Sequence, residues 1–303
     1  MRERFAFTIL ALTLVLLPAR AANSDPIPDF SGTWGRNAFN LETPASGPGP
    51  IANLRRIGKD ASTPTSGGGD PIPLVGDYRN PILRPHAAEV VKRMGERSAS
   101  GQDILDPSNQ CATYSPPYAL AMQQRVTVLQ TKTEVTLVYS QDVQVRHIHL
   151  NERHPEHLKP SPMGHSIGHY EGDTLVVDTV GIELGPYTMV DRFGTPQSKD
   201  MHVIERYRLI DDKDARAAQE RHEQMAGRLG GKQGNTSFVP DHKQGLQVHV
   251  TIDDPNTYTA QWSGDVTYRF TKEPFDERIC AENASQGQRL GIEHPPIAGV
   301  PDF

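Results

Sequence analysis

The stretch RVTVLQTKTEVTLVYSQDVQVRHIHL, residues 125–150, holds three short β-branched runs: Arg125–Gln130, Glu134–Tyr139 and Gln144–Leu150. Each alternates apolar and polar side chains between polar turns, the pattern of half-buried strands. Downstream, Ser166–Tyr170 and Thr174–Val180 flank Glu171-Gly172-Asp173, a sequence suited to a tight hairpin. His202–Ile210, Leu246–Asp253 and Tyr258–Phe270 continue the series. Upstream, Asp29-Phe30-Ser31-Gly32-Thr33-Trp34 is a short β-prone island. The strands are nearly all consecutive, and such a meander removes its exposed edges by closing on itself. The expectation is a mainly β chain forming an antiparallel barrel of about eight strands.

Two segments depart from this pattern. Residues 22–120 are rich in Pro, Gly, Ser and Asp, interrupted by a helix predicted over Pro85–Arg97, where Ala88, Val91 and Met94 recur at helical spacing behind an early proline. Residues 211–245 carry a second expected helix, Asp214 to Leu229, inside a 35-residue excursion. A hairpin connection is usually two to five residues, so this insertion reads as either a lid or a disordered loop.

The chain starts with Arg2 and Arg4, an apolar run from Phe5 to Leu17, and Pro18-Ala19-Arg20-Ala21-Ala22. That order is expected of a secretory signal peptide over residues 1–21, followed by a single domain over 22–303. The run is too short to span a bilayer, and the alternative is a buried N-terminal helix. Removing 1–21 leaves 28 basic and 36 acidic residues, a net charge of -8, with no basic run. Such a chain disfavours nucleic acid and anionic membranes as partners. A mean hydropathy of -0.54 excludes a multi-span membrane protein. The expected location is the periplasm or the exterior, without membrane insertion after cleavage. In that setting the two cysteines, Cys111 and Cys280, favour a bridge over two separately buried thiols.

Twelve histidines are present and seven lie between His147 and His202. Zinc would need three or four such ligands, for which His147, His149, His154 and His157 are the candidates, but no HExxH or comparable spacing occurs; no metal ligand is assigned and cofactor-free chemistry is expected, with zinc as the alternative. Strand parity sorts the rest. Val143, Val145, His147 and His149 share one face, opposite Gln144, Arg146, Ile148 and Leu150. Likewise His202, Ile204, Arg206 and Arg208 oppose Val203, Glu205, Tyr207 and Leu209. Glu205 therefore falls on an apolar face, where a carboxylate needs a partner or a proton. It is either a buried ion pair with Arg146 or Arg206, or a general acid–base group with a raised pKa.

Several stretches together resemble a group of exported bacterial proteins. They are Arg146-His147-Ile148-His149 to Arg153-His154-Pro155, Ser166 to Thr179 (SIGHYEGDTLVVDT), Asp191 to Pro196 (DRFGTP), Met201 to Tyr207 (MHVIERY), and Val250 to Pro255 (VTIDDP). That group carries R-x-I-Y-x-D-G-R-x-H-P, S-I-G-x-W-E-G-D-T-L-V-V-D-T, L-H-V-x-E-R and V-T-I-x-D-P in this order, so the resemblance runs over residues 110–283. It implies a lipocalin-like barrel, and Gly32-Thr33-Trp34 resembles the G-x-W of a lipocalin first strand. By that analogy Arg269 would cover the Trp34 indole. The chain departs from the group at Asn151-Glu152, His149 and Tyr170.

No GxGxxG, Walker A or G-x-S-x-G occurs, which disfavours nucleotide cofactors and a nucleophile-elbow serine hydrolase. Two functions remain. One is an acid–base lyase or hydrolase acting on a small apolar, aromatic-type compound in a barrel cavity, with His149, His154, His202 and Glu205 catalytic and Arg146, Tyr170, Asp191 and Arg206 holding substrate. The other is a non-catalytic, lipocalin-like carrier of a small hydrophobic ligand. In both, Arg146, His149, His154, His202 and Glu205 are expected around one cavity with 211–245 across its mouth.

Overall fold

The computed structural model describes residues 27–54, 73–102, 104–122, 124–227, 236–274 and 280. The expected signal segment lies outside them. Nine strands form one closed barrel: β1 (Gly32–Gly35), β2 (Arg125–Gln130), β3 (Glu134–Tyr139), β4 (Gln144–Leu150), β5 (His165–Glu171), β6 (Thr174–Val180), β7 (His202–Asp211), β8 (Gln244–Asp253) and β9 (Trp262–Phe270). Neighbours pair in sequence order, and β1 closes the ring on β9 through Trp34↔Phe270 and Gly35↔Arg269. Among the described residues the α-helices are α1 (Pro85–Ala99), α2 (Tyr118–Met122) and α3 (Asp212–Gly227). None of the described helices is long and apolar enough to cross a membrane.

The barrel corrects the antiparallel expectation in one place: β4 and β5 run parallel, with Ile148↔Ser166 and Leu150↔Gly168 in register. Parallel neighbours cannot be joined by a tight turn and need a crossover of a dozen or more residues. Residues 151–164 supply it, held beside β6 by a parallel bridge between Ser161 and Ile182. By contrast β5 and β6 meet through the expected two-residue turn, where Gly172 has φ 61°, a conformation glycine adopts freely.

The inner face is apolar along most strands: Val126, Leu137, Ile148, Val177, Val203, Val248, Ile252 and Val266 are each at most 4% exposed. Trp34 is buried at the closure, its indole Nε1 donating to Phe30 O at 2.8 Å. The rings edging Trp34 belong to Phe270 and His242, while Arg269 lies over Phe238 and pairs with Asp212. The analogy that placed Arg269 on the indole is thus corrected. Gly32, at φ 126°, has no room for a β-carbon, which would sit 2.6 Å from Phe270. Cys111 and Cys280 are disulfide-bonded, tying the loop before α2 to the far end of the chain.

α3 is not stretched over a barrel mouth. It lies along the outer face of β7, β8 and β9, where a β-carbon at Gly245 would collide with Ala215. Ala215, Ala218, Gln219 and His222 are its buried side, and Asp212 anchors its start to Arg269. Residues 228–235 of the insertion lie outside the described residues.

Candidate functional site

The residues expected around one cavity are divided by the sheet into two groups that stand back to back. Inside, four adjacent strands each contribute one polar side chain: Arg146 from β4, Ser166 from β5, Thr179 from β6 and Glu205 from β7. Arg146 is 1% exposed and Glu205 is sealed from solvent. Arg146 Nη1 donates to Glu205 Oε1 at 3.0 Å, and Nη2 donates to Glu205 Oε2, giving a bidentate pair. Arg146 Nε reaches Ser166 Oγ at 3.0 Å and Nη2 reaches Thr179 Oγ1 at 2.8 Å. Tyr207 Oη donates to Glu205 Oε1 at 3.1 Å. Burial by itself would depress the guanidinium, but the facing Glu205 carboxylate and Tyr139 hold Arg146 well above its ordinary pKa.

Of the two sequence readings of Glu205, the molecule therefore contains the ion pair with Arg146. Both carboxylate oxygens are occupied and neither reaches solvent, so the geometry gives Glu205 no route to a substrate proton. Arg146, with four of its five N–H groups engaged, is likewise not free to hold an anion.

Outside, the histidines form a hydrogen-bonded chain. Parity turns His165 on β5, Asp178 on β6 and His202 on β7 outward, and the crossover 151–164 lays His154 over them. Asp178 pairs across the sheet with Ile204, so His202, two residues back on β7, is its diagonal neighbour. His202 Nε2 lies 2.6 Å from Asp178 Oδ1, and the same oxygen is 3.3 Å from His154 Nε2. His154 Nδ1 is 2.9 Å from His165 Nδ1, which requires one ring to donate and the other to accept. His149 stacks on His165 with centroids 5.4 Å apart and lies 4.0 Å from Glu134, which also binds His147 at 2.9 Å.

The chain is electrically graded. The hydrogen bond that His202 donates to Asp178 raises the His202 pKa above 6.5 against the opposing effect of burial. Burial would raise Asp178, but its bonds to His202 and then His154 bring it below 3.8. His165 is lowered from 6.5, first by burial and then by the neighbouring imidazoles of His154 and His149. One end of the chain thus favours a protonated imidazole and the other a neutral one.

Sequence reasoning named His149, His154 and His202 but missed Asp178 and His165. The signal was available: alternation on β5 and β6 puts both on the face that carries His202. The remaining expected residues lie elsewhere. Tyr170 Oη accepts from Gln130 Nε2 at 2.7 Å, linking β5 to β2. Asp191 secures its own loop, accepting from Phe193 N, Thr195 N and Thr195 Oγ1 at 2.7–3.3 Å. Arg206 faces outward in an exposed pair with Glu171 at 2.7 Å. None of the three joins the histidine chain or the buried Arg146–Glu205 cluster. With Arg146 and Glu205 inside the barrel and the histidines outside, the single shared cavity is corrected to two separate polar clusters. Among the described residues no group of three or more His, Cys, Asp or Glu side chains is arranged to hold a metal ion. Comparison with family models, with curated proteins and with solved structures gave no match.

Proposed function

We propose that the protein is an exported, cofactor-free acid–base enzyme, a lyase or hydrolase, whose reacting groups are the outer histidines. The observation that carries this reading is the gradient along one hydrogen-bonded chain, with His202 raised and His165 lowered. Titratable groups whose environments push their pKa values apart are the arrangement that assigns an acid and a base. Neutral His165 accepts a substrate proton at an imidazole nitrogen. His202, protonated and held by Asp178, donates to the leaving atom. Asp178 and His154 fix ring orientation between them, and the partly exposed rings of His165 and His202 are reachable by a small substrate from solvent. The Cys111–Cys280 disulfide supports work in an oxidising compartment.

The test uses 5-nitrobenzisoxazole as a proton-transfer probe. A base removes the ring C–H proton, the N–O bond breaks, and its electron pair leaves on the phenolate oxygen. The expected result is turnover above that of free imidazole at equal concentration, with a bell-shaped pH profile whose rising limb lies below 6.5 and whose falling limb lies above it. His165→Ala should lower turnover about 10²–10⁴-fold. Turnover no better than imidazole, or unchanged in His165→Ala and His202→Ala, would remove the reading.

A further inference from the structure

The ladder between β4 and β5 is short. β5 pairs with β4 only from Ile148 to Leu150, so residues 144–147 have β3 on one side and no strand on the other. Leu150 N donates to Thr133 O at 2.9 Å, which turns the even-numbered amides of β4 towards β3. Alternation then turns the amides of Val145 and His147 to the open side, where no backbone partner stands among the described residues. Six large hydrophobic side chains are exposed among the described residues, and three of them are Leu105, Val143 and Val145. These three lie close in sequence to the two groups that hold Cys280. Asp142 Oδ1 accepts from Cys280 N at 2.6 Å, and Ser108 O lies 3.8 Å from Cys280 Sγ. An open strand edge beside exposed apolar side chains is a pairing template that folded proteins cover.

The position of Cys280 selects the cover. Its disulfide to Cys111 and its bond to Asp142 fix it beside the open edge, so residues 281–303, which lie outside the described residues, set out from there. Val145 is three residues from Asp142, at most about 11 Å away, whereas the ten residues from Cys280 to Leu290 can span up to about 33 Å. Pro295-Pro296 has no N–H to give a ladder, so a pairing strand falls before it. In that stretch the large apolar residues are Leu290 and Ile292, which strand alternation puts on one face with Gly291 on the other. We propose that residues 289–293 (RLGIE) add a strand to the open edge of β4, with Leu290 and Ile292 outside against Val143 and Val145 and Gly291 turned to the core. Main-chain pairing holds such a strand, and its alternate side chains set the register. This docking is separate from the outer histidines and stands whether or not they catalyse.

Methyl NOEs and amide hydrogen exchange on the full, disulfide-bonded chain test the proposal. Methyl groups of Leu290 or Ile292 should show NOEs to those of Val145, and the Val145 and His147 amides should be protected. A chain stopped after Cys280 keeps the disulfide and should exchange both amides at least about tenfold faster, while Val126, paired on both sides, keeps its rate. Leu290→Ser with Ile292→Ser in the full chain should do the same. Absence of the NOEs, or free exchange of both amides in the full chain, would overturn the docking whether or not the variants fold. So would protection that survives both the truncation and the double variant. Protection that rises with protein concentration would also overturn it, placing a second copy on the edge instead.

Discussion

A guanidinium and a carboxylate persist in the core of this barrel because each satisfies the other's hydrogen-bonding groups and Ser166, Thr179 and Tyr207 complete the set. Removing one partner leaves an uncompensated buried charge, which typically costs about 3–5 kcal/mol. Arg146→Met or Glu205→Leu alone should each lower stability by that amount in urea denaturation. The double variant should recover much of the loss, since apolar groups of similar volume replace a buried pair at little cost. Equal losses that simply add would show that the two side chains act independently. Parity already set Arg146 against His149 on one strand and Glu205 against His202 on another. The error lay in gathering them into a single cavity, because residues 146 and 149, or 202 and 205, are three apart on a strand and cannot face the same way.

At the level of elements, alternation located the β2, β3, β4 and β6 strands at their observed ends, since a half-buried strand has no other way to satisfy both faces. Alternation carries no information about strand direction, so the parallel β4–β5 pair was not legible. The length of the 151–164 connection was its only trace. α2 escaped notice because five residues, all buried, give no amphipathic period. α3 was visible as a helix, but its docking was not, because the contact depends on Gly245 far along the chain. That docking carries a pH signature. Burial first, then the Arg36 charge, lowers the His222 pKa to about 3. An unfolded chain takes up this proton near 6.5 whereas the folded chain does not, so stability is lost as pH falls from about 6.5 towards 3. His222→Gln should flatten the melting temperature across pH 7 to 4 relative to the parent. Parallel curves for the two proteins would mean that His222 is not buried uncharged beneath α3.

For the whole molecule, closure depends on a four-residue first strand and on the ring contacts of Trp34. Trp34→Ala should cost about 3–5 kcal/mol as a core truncation, read by denaturant unfolding. A change within about half a kcal/mol would place the indole outside the cooperative core. The Cys111–Cys280 bond spans 169 residues, and a loop of that length restricts the unfolded chain by about 5 kcal/mol on the chain-entropy model. Cys111→Ala with Cys280→Ala should therefore unfold at markedly lower denaturant, and an unchanged midpoint would contradict that model here. The sheet itself separates a closed polar rung from an open, graded one. The most direct test of that division follows the imidazole resonances of ¹⁵N- and ¹³C-labelled protein through a pH titration. The account predicts His202 with a midpoint above 6.5, His165 with a midpoint below it, and a downward move of His202 in Asp178→Asn. Equal midpoints for the two histidines, or a His202 that ignores Asp178→Asn, would contradict it.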